Sequence, residues 1–170
     1  GDYVLKIPFL GECTEDGVYN NFTNAIGGSE NENNWDYCRA EEAIYELACG
    51  EGLGDLFCGT RYLCDIQDFP IYVSEMSENA LDEDATPHHS SAAGLDYIKS
   101  KRQEPGKQFY YAPAEMDDDT IGMFYDSWGK ELTDKLLDFL VDNDIRDCHN
   151  GNVAFRDGKI RLIDYSSFDK

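Results

Sequence analysis

Apolar residues return every three or four positions along residues 127–143, where Trp128, Leu132, Leu136, Phe139 and Leu140 form one face. That period predicts an amphipathic helix packed on a core. A second helix is predicted over residues 35–48, where Tyr37, Ile44 and Ala48 recur at helical spacing and Gly50-Glu51-Gly52 ends the pattern. Position 41 falls on that same stripe, so a glutamate stands where an apolar residue is expected.

Strands are predicted where β-branched and aromatic residues crowd into short runs: residues 3–9, closed by Pro8, then 59–65 and 69–76. The polar, Gly- and Asn-rich stretch 11–34 reads as a long loop. Residues 77–108 read as loop plus short helices, punctuated by Pro87, Gly94, Pro105 and Gly106 and carrying an acidic patch at Asp82, Glu83 and Asp84. Asp117, Asp118 and Asp119 lack the alternating spacing of a calcium loop and read as a solvated loop. Residues 153–155 and 159–163 form a hairpin across Asp157-Gly158, a dipeptide suited to the positive backbone angles of a tight turn. There are no internal repeats, and the mixture predicts a single α+β domain.

At 170 residues and 41% hydrophobic, the chain has the size and apolar content to bury its own core. Thirty-five acidic against fourteen basic residues give a net charge of −21. Binding to nucleic acid or an anionic membrane is therefore opposed, and partners should be cationic or metal-bridged. The charge itself has three readings: a solvated surface, which is the default, an acidic mimic of nucleic acid, or a docking face for a basic protein. No stretch approaches the roughly 18 apolar residues of a membrane span, and the N-terminus lacks a secretory pattern, so a cytoplasmic location is expected. The six cysteines show no C-x-x-C pair and are expected to be reduced core thiols. Asn21-Phe22-Thr23 fits the glycosylation acceptor pattern, a match common by chance.

Polar chemistry concentrates in Arg146-Asp147-Cys148-His149-Asn150-Gly151-Asn152, with Asp164 twelve residues further on at the end of a strand. Asp and Asn residues often cap helices and turns. Phosphoryl transfer nonetheless needs such a set, because it depends on metal ions bridging phosphates and on a carboxylate orienting the attacking hydroxyl. The segment 147–152, Asp-Cys-His-Asn-Gly-Asn, resembles the D-x-H-x-G-N catalytic loop of kinase-fold phosphotransferases. Such a loop occurs in the aminoglycoside and choline kinase branch and in divergent bacterial and bacteriophage serine/threonine kinases. The resemblance implies a catalytic Asp147, metal-binding Asn152 and Asp164, and ATP and magnesium as cofactors. His149 is expected to hold the loop's geometry or to touch substrate.

The resemblance also implies a minimal protein kinase-like fold: an N-lobe-like sheet and helix over residues 1–76, and a reduced C-lobe over 77–170. Tyr3-Val4-Leu5-Lys6-Ile7 resembles the strand lysine motif whose ammonium reaches the nucleotide phosphates. Glu41 is the expected helix partner, since a buried carboxylate demands a cation, with Glu42 the alternative if the helix is rotated. Residues 71–77 resemble the hinge between lobes, so the Glu75 carbonyl and Ser77 amide would face the adenine. Measured against the family the chain is expected to be truncated at both ends, since five residues precede Lys6, too few for a glycine-rich loop, and six follow Asp164, too few for an activation segment. Upstream residues are expected. Gly27-Gly28-Ser29 is a poor substitute for the missing loop, and Ile145 stands where protein kinases usually carry His.

The leading expectation is an ATP-dependent phosphotransferase, most like a protein serine/threonine kinase, whose acceptor is an unidentified protein or small-molecule hydroxyl. Residues 77–125 should govern acceptor choice. The alternatives are a pseudokinase or binding module, such as a phage-encoded inhibitor of a host protein, and an acidic nucleic-acid mimic.

Overall fold

A computed structural model describes residues 2–7, 12–13, 19–21, 37–66, 69–79, 88–105, 116–146 and 148–166. The fold is α+β. In chain order its elements are β1 (Tyr3–Lys6), β2 (Glu12–Cys13), β3 (Tyr19–Asn21), α1 (Tyr37–Gly50), β4 (Thr60–Ile66) and β5 (Phe69–Glu75). There follow β6 (Glu78–Asn79), α2 (Ala92–Arg102), α3 (Asp118–Asp142), β7 (Val153–Arg156) and β8 (Lys159–Leu162). Among the described residues three antiparallel sheets form, ordered β1-β5-β4, β2-β3 and β6-β7-β8.

Helix α1 lies against the first sheet and buries Cys38, Glu41, Ile44 and Ala48; of the expected stripe Glu41, Ile44 and Ala48 are buried, whereas Tyr37 is half-buried and Cys38 takes the buried position beside it. Its end is set by Gly52, at φ 75°. That left-handed turn lets the Leu53 amide reach back to the Ala48 carbonyl at 2.8 Å and the Gly52 amide to Cys49 at 3.0 Å. The pair of bonds satisfies carbonyls that the helix would otherwise leave open, and Leu53 packs beneath them, fully buried.

Phe57 then enters the core and joins the halves of the molecule. Its ring meets Phe139 of α3 and Tyr165 edge-on at centroid distances of 6.0 and 5.0 Å. Its backbone forms a parallel bridge to Leu162, and the next amide, Cys58, donates to the Leu162 carbonyl at 2.8 Å. Burying one such ring stabilises by roughly 1.5–3 kcal/mol, and the bridge fixes where β8 ends.

Several elements differ from the sequence expectation. The first strand ends at Lys6 rather than at Phe9, which lies outside the described residues together with Pro8 and Trp35. The expected 11–34 loop contains the β2-β3 pairing; Gly27, Gly28, Ser29 and the Asn21-Phe22-Thr23 match beyond Asn21 lie outside the described residues. The three aspartates at 117–119 start a helix instead of a loop. Asp117 caps α3 by accepting from the Thr120 amide at 2.8 Å, Asp118 pairs with Arg102 at 2.5 Å, and Asp119 accepts from the Ser90 amide at 2.7 Å. Helix α3 accordingly begins nine residues earlier than the expected 127, and it breaks at Gly129, which has φ 77° and ψ 174°. The break turns Trp128 toward the hairpin, where its indole N–H donates to the Ile160 carbonyl at 2.7 Å and Lys159 lies 4.0 Å over the ring. The Asp157-Gly158 turn has φ of 53° and 73°, the two positive angles the dipeptide predicts.

Among the described residues, Cys38, Cys49, Cys58, Cys64 and Cys148 form no disulfide; Cys38, Cys58 and Cys148 are buried as core thiols, whereas Cys64 is half-buried and Cys49 exposed, and no helix is long and apolar enough to cross a membrane.

Candidate active site

Cross-strand register decides which side chains of the first sheet share a face. Val4 stands opposite Ser74, which stands opposite Thr60; Lys6 stands opposite Tyr72, which stands opposite Tyr62. This face receives α1, so Lys6 meets the polar member of that helix's buried stripe. Lys6 Nζ donates to Glu41 Oε1 at 2.7 Å and to Oε2 at 2.8 Å, with Glu41 only 1% exposed. Glu42, one position round the helix, accepts instead from the Tyr62 amide of β4 at 2.7 Å. Glu41 is thus the partner of Lys6.

The same ammonium donates to Asp164 Oδ1 at 2.7 Å, so residues 158 positions apart in sequence meet at one cation. Asp164 is held from both sides. Before it, the Ile163 amide donates to the Asn152 carbonyl at 2.9 Å. After it, the buried Tyr165 hydroxyl donates to the Cys58 carbonyl at 2.9 Å. Between those anchors Asp164 adopts φ 46°, a left-handed conformation that Asp tolerates better than most residues. Its side chain remains 58% exposed and open to a ligand.

The charges are tuned unequally. Burial opposes the Lys6 ammonium, but Glu41 and Asp164 more than offset it and hold its pKa above the ordinary lysine value. Burial pushes the Glu41 carboxyl up, and Lys6 and the Thr60 hydroxyl only partly reverse this. The difference follows from geometry, because one ammonium has two carboxylates while the deeper carboxylate bears most of the desolvation. Thr60, which the sequence reading did not single out, lies 2.8 Å from Glu41 Oε2. Only the register of β4 against β5 reveals it, since a threonine in a β-rich run reads as an ordinary strand residue.

The loop leading to Asn152 is tied to itself. The His149 Nδ1 accepts from the Gly151 amide at 2.9 Å and the His149 carbonyl accepts from the Asn152 amide at 2.9 Å, a geometry-holding arrangement for His149. Asn152 is half-buried and leads directly into β7. Asp147 lies outside the described residues; its neighbours Arg146, paired with Asp144 at 3.0 Å, and the fully buried Cys148 are described.

Glu75 ends β5 and Ser77 follows it, three and five positions beyond Tyr72, which stands opposite Lys6. The Glu75 carboxylate accepts from the Gly59 amide at 3.2 Å and pairs with Arg161 at 3.5 Å, so its side chain braces the sheet against the hairpin. Ser77 lines a cleft of about 620 Å³ with Met76, Glu78, His88, Phe155 and Arg156 among others. Lys6, Glu41 and Asp164 are not among its lining residues.

No cluster of three or more His, Cys, Asp or Glu side chains suited to a metal exists among the described residues. Comparison with protein-family models, curated proteins and solved structures gives no match.

Proposed function

We propose that the chain is an ATP-dependent phosphotransferase with a minimal kinase-like arrangement, residues 1–76 acting as an N-lobe and 77–170 as a reduced C-lobe. The observation that supports this reading is the convergence of Lys6, the buried Glu41 and the exposed Asp164 on one point, with Asn152 bonded to the residue before Asp164. In this reading Glu41 orients Lys6, Lys6 meets the nucleotide phosphates, and Asp147 orients the acceptor hydroxyl. Asn152 and Asp164 would hold magnesium, which supplies charge neutralisation to the phosphates when bound. A protein serine or threonine is the preferred acceptor class, with the Ser77 end of β5 serving adenine. The test is transfer from labelled ATP, with magnesium, to the chain itself or to proteins of a cell lysate. Asp147→Asn is expected to reduce transfer at least about 100-fold; undiminished transfer by that variant refutes the assignment.

A binding module is the second reading, favoured by the 2.7 Å pair between Lys6 and Asp164, which neutralises the expected metal ligand from within. Such a module would use its −21 charge to hold a cationic partner and would transfer no phosphate.

A further inference from the structure

Thr60 begins β4 and is 1% exposed. Its Oγ1 lies 2.8 Å from Glu41 Oε2 and 3.1 Å from Ser74 Oγ. A hydroxyl carries one hydrogen, and an ionised carboxylate can only accept. The Thr60 hydrogen therefore goes to Glu41, and Ser74, itself 7% exposed, donates its own hydrogen to Thr60. The result is a directed chain across the sheet: Ser74 on β5 donates to Thr60 on β4, Thr60 donates to Glu41 on α1, and Glu41 receives Lys6 from β1. Each bond polarises the next in the same sense.

Geometry gives this chain a specific task. Both Glu41 oxygens accept from Lys6, at 2.7 and 2.8 Å, and such a forked contact survives only while the carboxylate plane is fixed. Lys6 has a competing acceptor in Asp164 at 2.7 Å. A Glu41 free to rotate would release the ammonium toward Asp164, away from where α1 holds it. Threonine suits the fixing role, because its branched Cβ restricts χ1 and points the hydroxyl in one direction.

We propose that Thr60, backed by Ser74, is a positioning residue for phosphoryl transfer, acting through Glu41 to keep Lys6 in its productive place. This rests on the phosphotransferase reading. A mispositioned Lys6 weakens stabilisation of the transferring phosphoryl group more than nucleotide binding, so the loss belongs in kcat.

The experiment compares transfer kinetics of the wild type with Thr60→Val, which keeps shape and removes the hydroxyl, with Thr60→Ser, which keeps the hydroxyl, and with Ser74→Ala. Thr60→Val is expected to lower kcat about tenfold, the loss of roughly one charge-assisted hydrogen bond, with KM for ATP changed less than about twofold. Thr60→Ser should recover most of the lost rate, and Ser74→Ala should fall between. Should Thr60→Val fail to fold, a lowered kcat at unchanged KM in Ser74→Ala carries the same conclusion. An active wild type indifferent to both Thr60→Val and Ser74→Ala overturns the positioning role alone, as does a Thr60→Ser variant as impaired as Thr60→Val. A wild type without transfer overturns the phosphotransferase reading and this role with it.

Discussion

Glu41 is the residue on which burial and charge conflict most. Its carboxyl sits 1% exposed beneath the sheet, and burial raises its pKa above the ordinary value of about 4.3. A group whose folded pKa is raised binds more protons in the native state, so its contribution to stability is present below the unfolded pKa and is lost as pH rises through the folded one. Glutamine has no ionisable carboxyl and so makes no such pH-dependent contribution. Glu41→Gln should therefore gain stability relative to the wild type as pH rises from about 4 to 7, while transfer falls by at least about 100-fold. Urea denaturation at both pH values checks the first statement; a difference that grows in favour of the wild type contradicts it. The pairing of Lys6 with Glu41 was legible because a glutamate on an apolar stripe is a misfit that demands a cation. Thr60 carried no such signal, since its significance exists only once β4, β5 and α1 are assembled.

Among the elements, α2 and α3 owe their spacing to two glycines. A Cβ on Gly94 would stand 2.5 Å from the Gly122 carbonyl oxygen, and one on Gly122 would stand 2.7 Å from Ser90 Cβ. The backbones meet there, and Tyr97 stacks on Tyr125 at 4.4 Å one turn away. Gly122→Ala should cost about 1–3 kcal/mol through overpacking, read as a lowered denaturant midpoint; an unchanged midpoint would mean that the helices separate freely. This close approach was hidden in the sequence. Helix α2 reaches the core mainly through Tyr97, Ile98 and the stem of Lys101, too few positions to establish a period. The first half of α3 was hidden for the opposite reason: Ile121, Met123 and Phe124 are all buried, so the apolar run has no solvent face to mark a helix, and its acidic cap resembles a loop. The second half was plain, because Leu136, Phe139 and Leu140 are buried at helical spacing before solvated Asp and Lys positions.

At the scale of the whole molecule, the α+β class and the order of its principal elements follow from local patterns, whereas the meeting of β1, α1 and the segment after β8 does not. Phe57 makes that meeting possible by bridging to Leu162, two positions before Asp164. The −21 charge sharpens the functional question, since a nucleotide is itself anionic and would approach this surface against repulsion unless magnesium and Lys6 compensate. Nucleotide binding should therefore require both. The most direct measurement is thermal unfolding of the wild type and of Lys6→Met with ATP, with and without magnesium. At about one hundred times Kd, binding adds about 2.7 kcal/mol, which for a domain of this size raises Tm by roughly 5–10 °C. The account predicts that rise for the wild type with magnesium, and its loss when magnesium is removed or Lys6 is replaced. A wild type whose Tm ignores ATP and magnesium, or a Lys6→Met variant stabilised as much as the wild type, would contradict it.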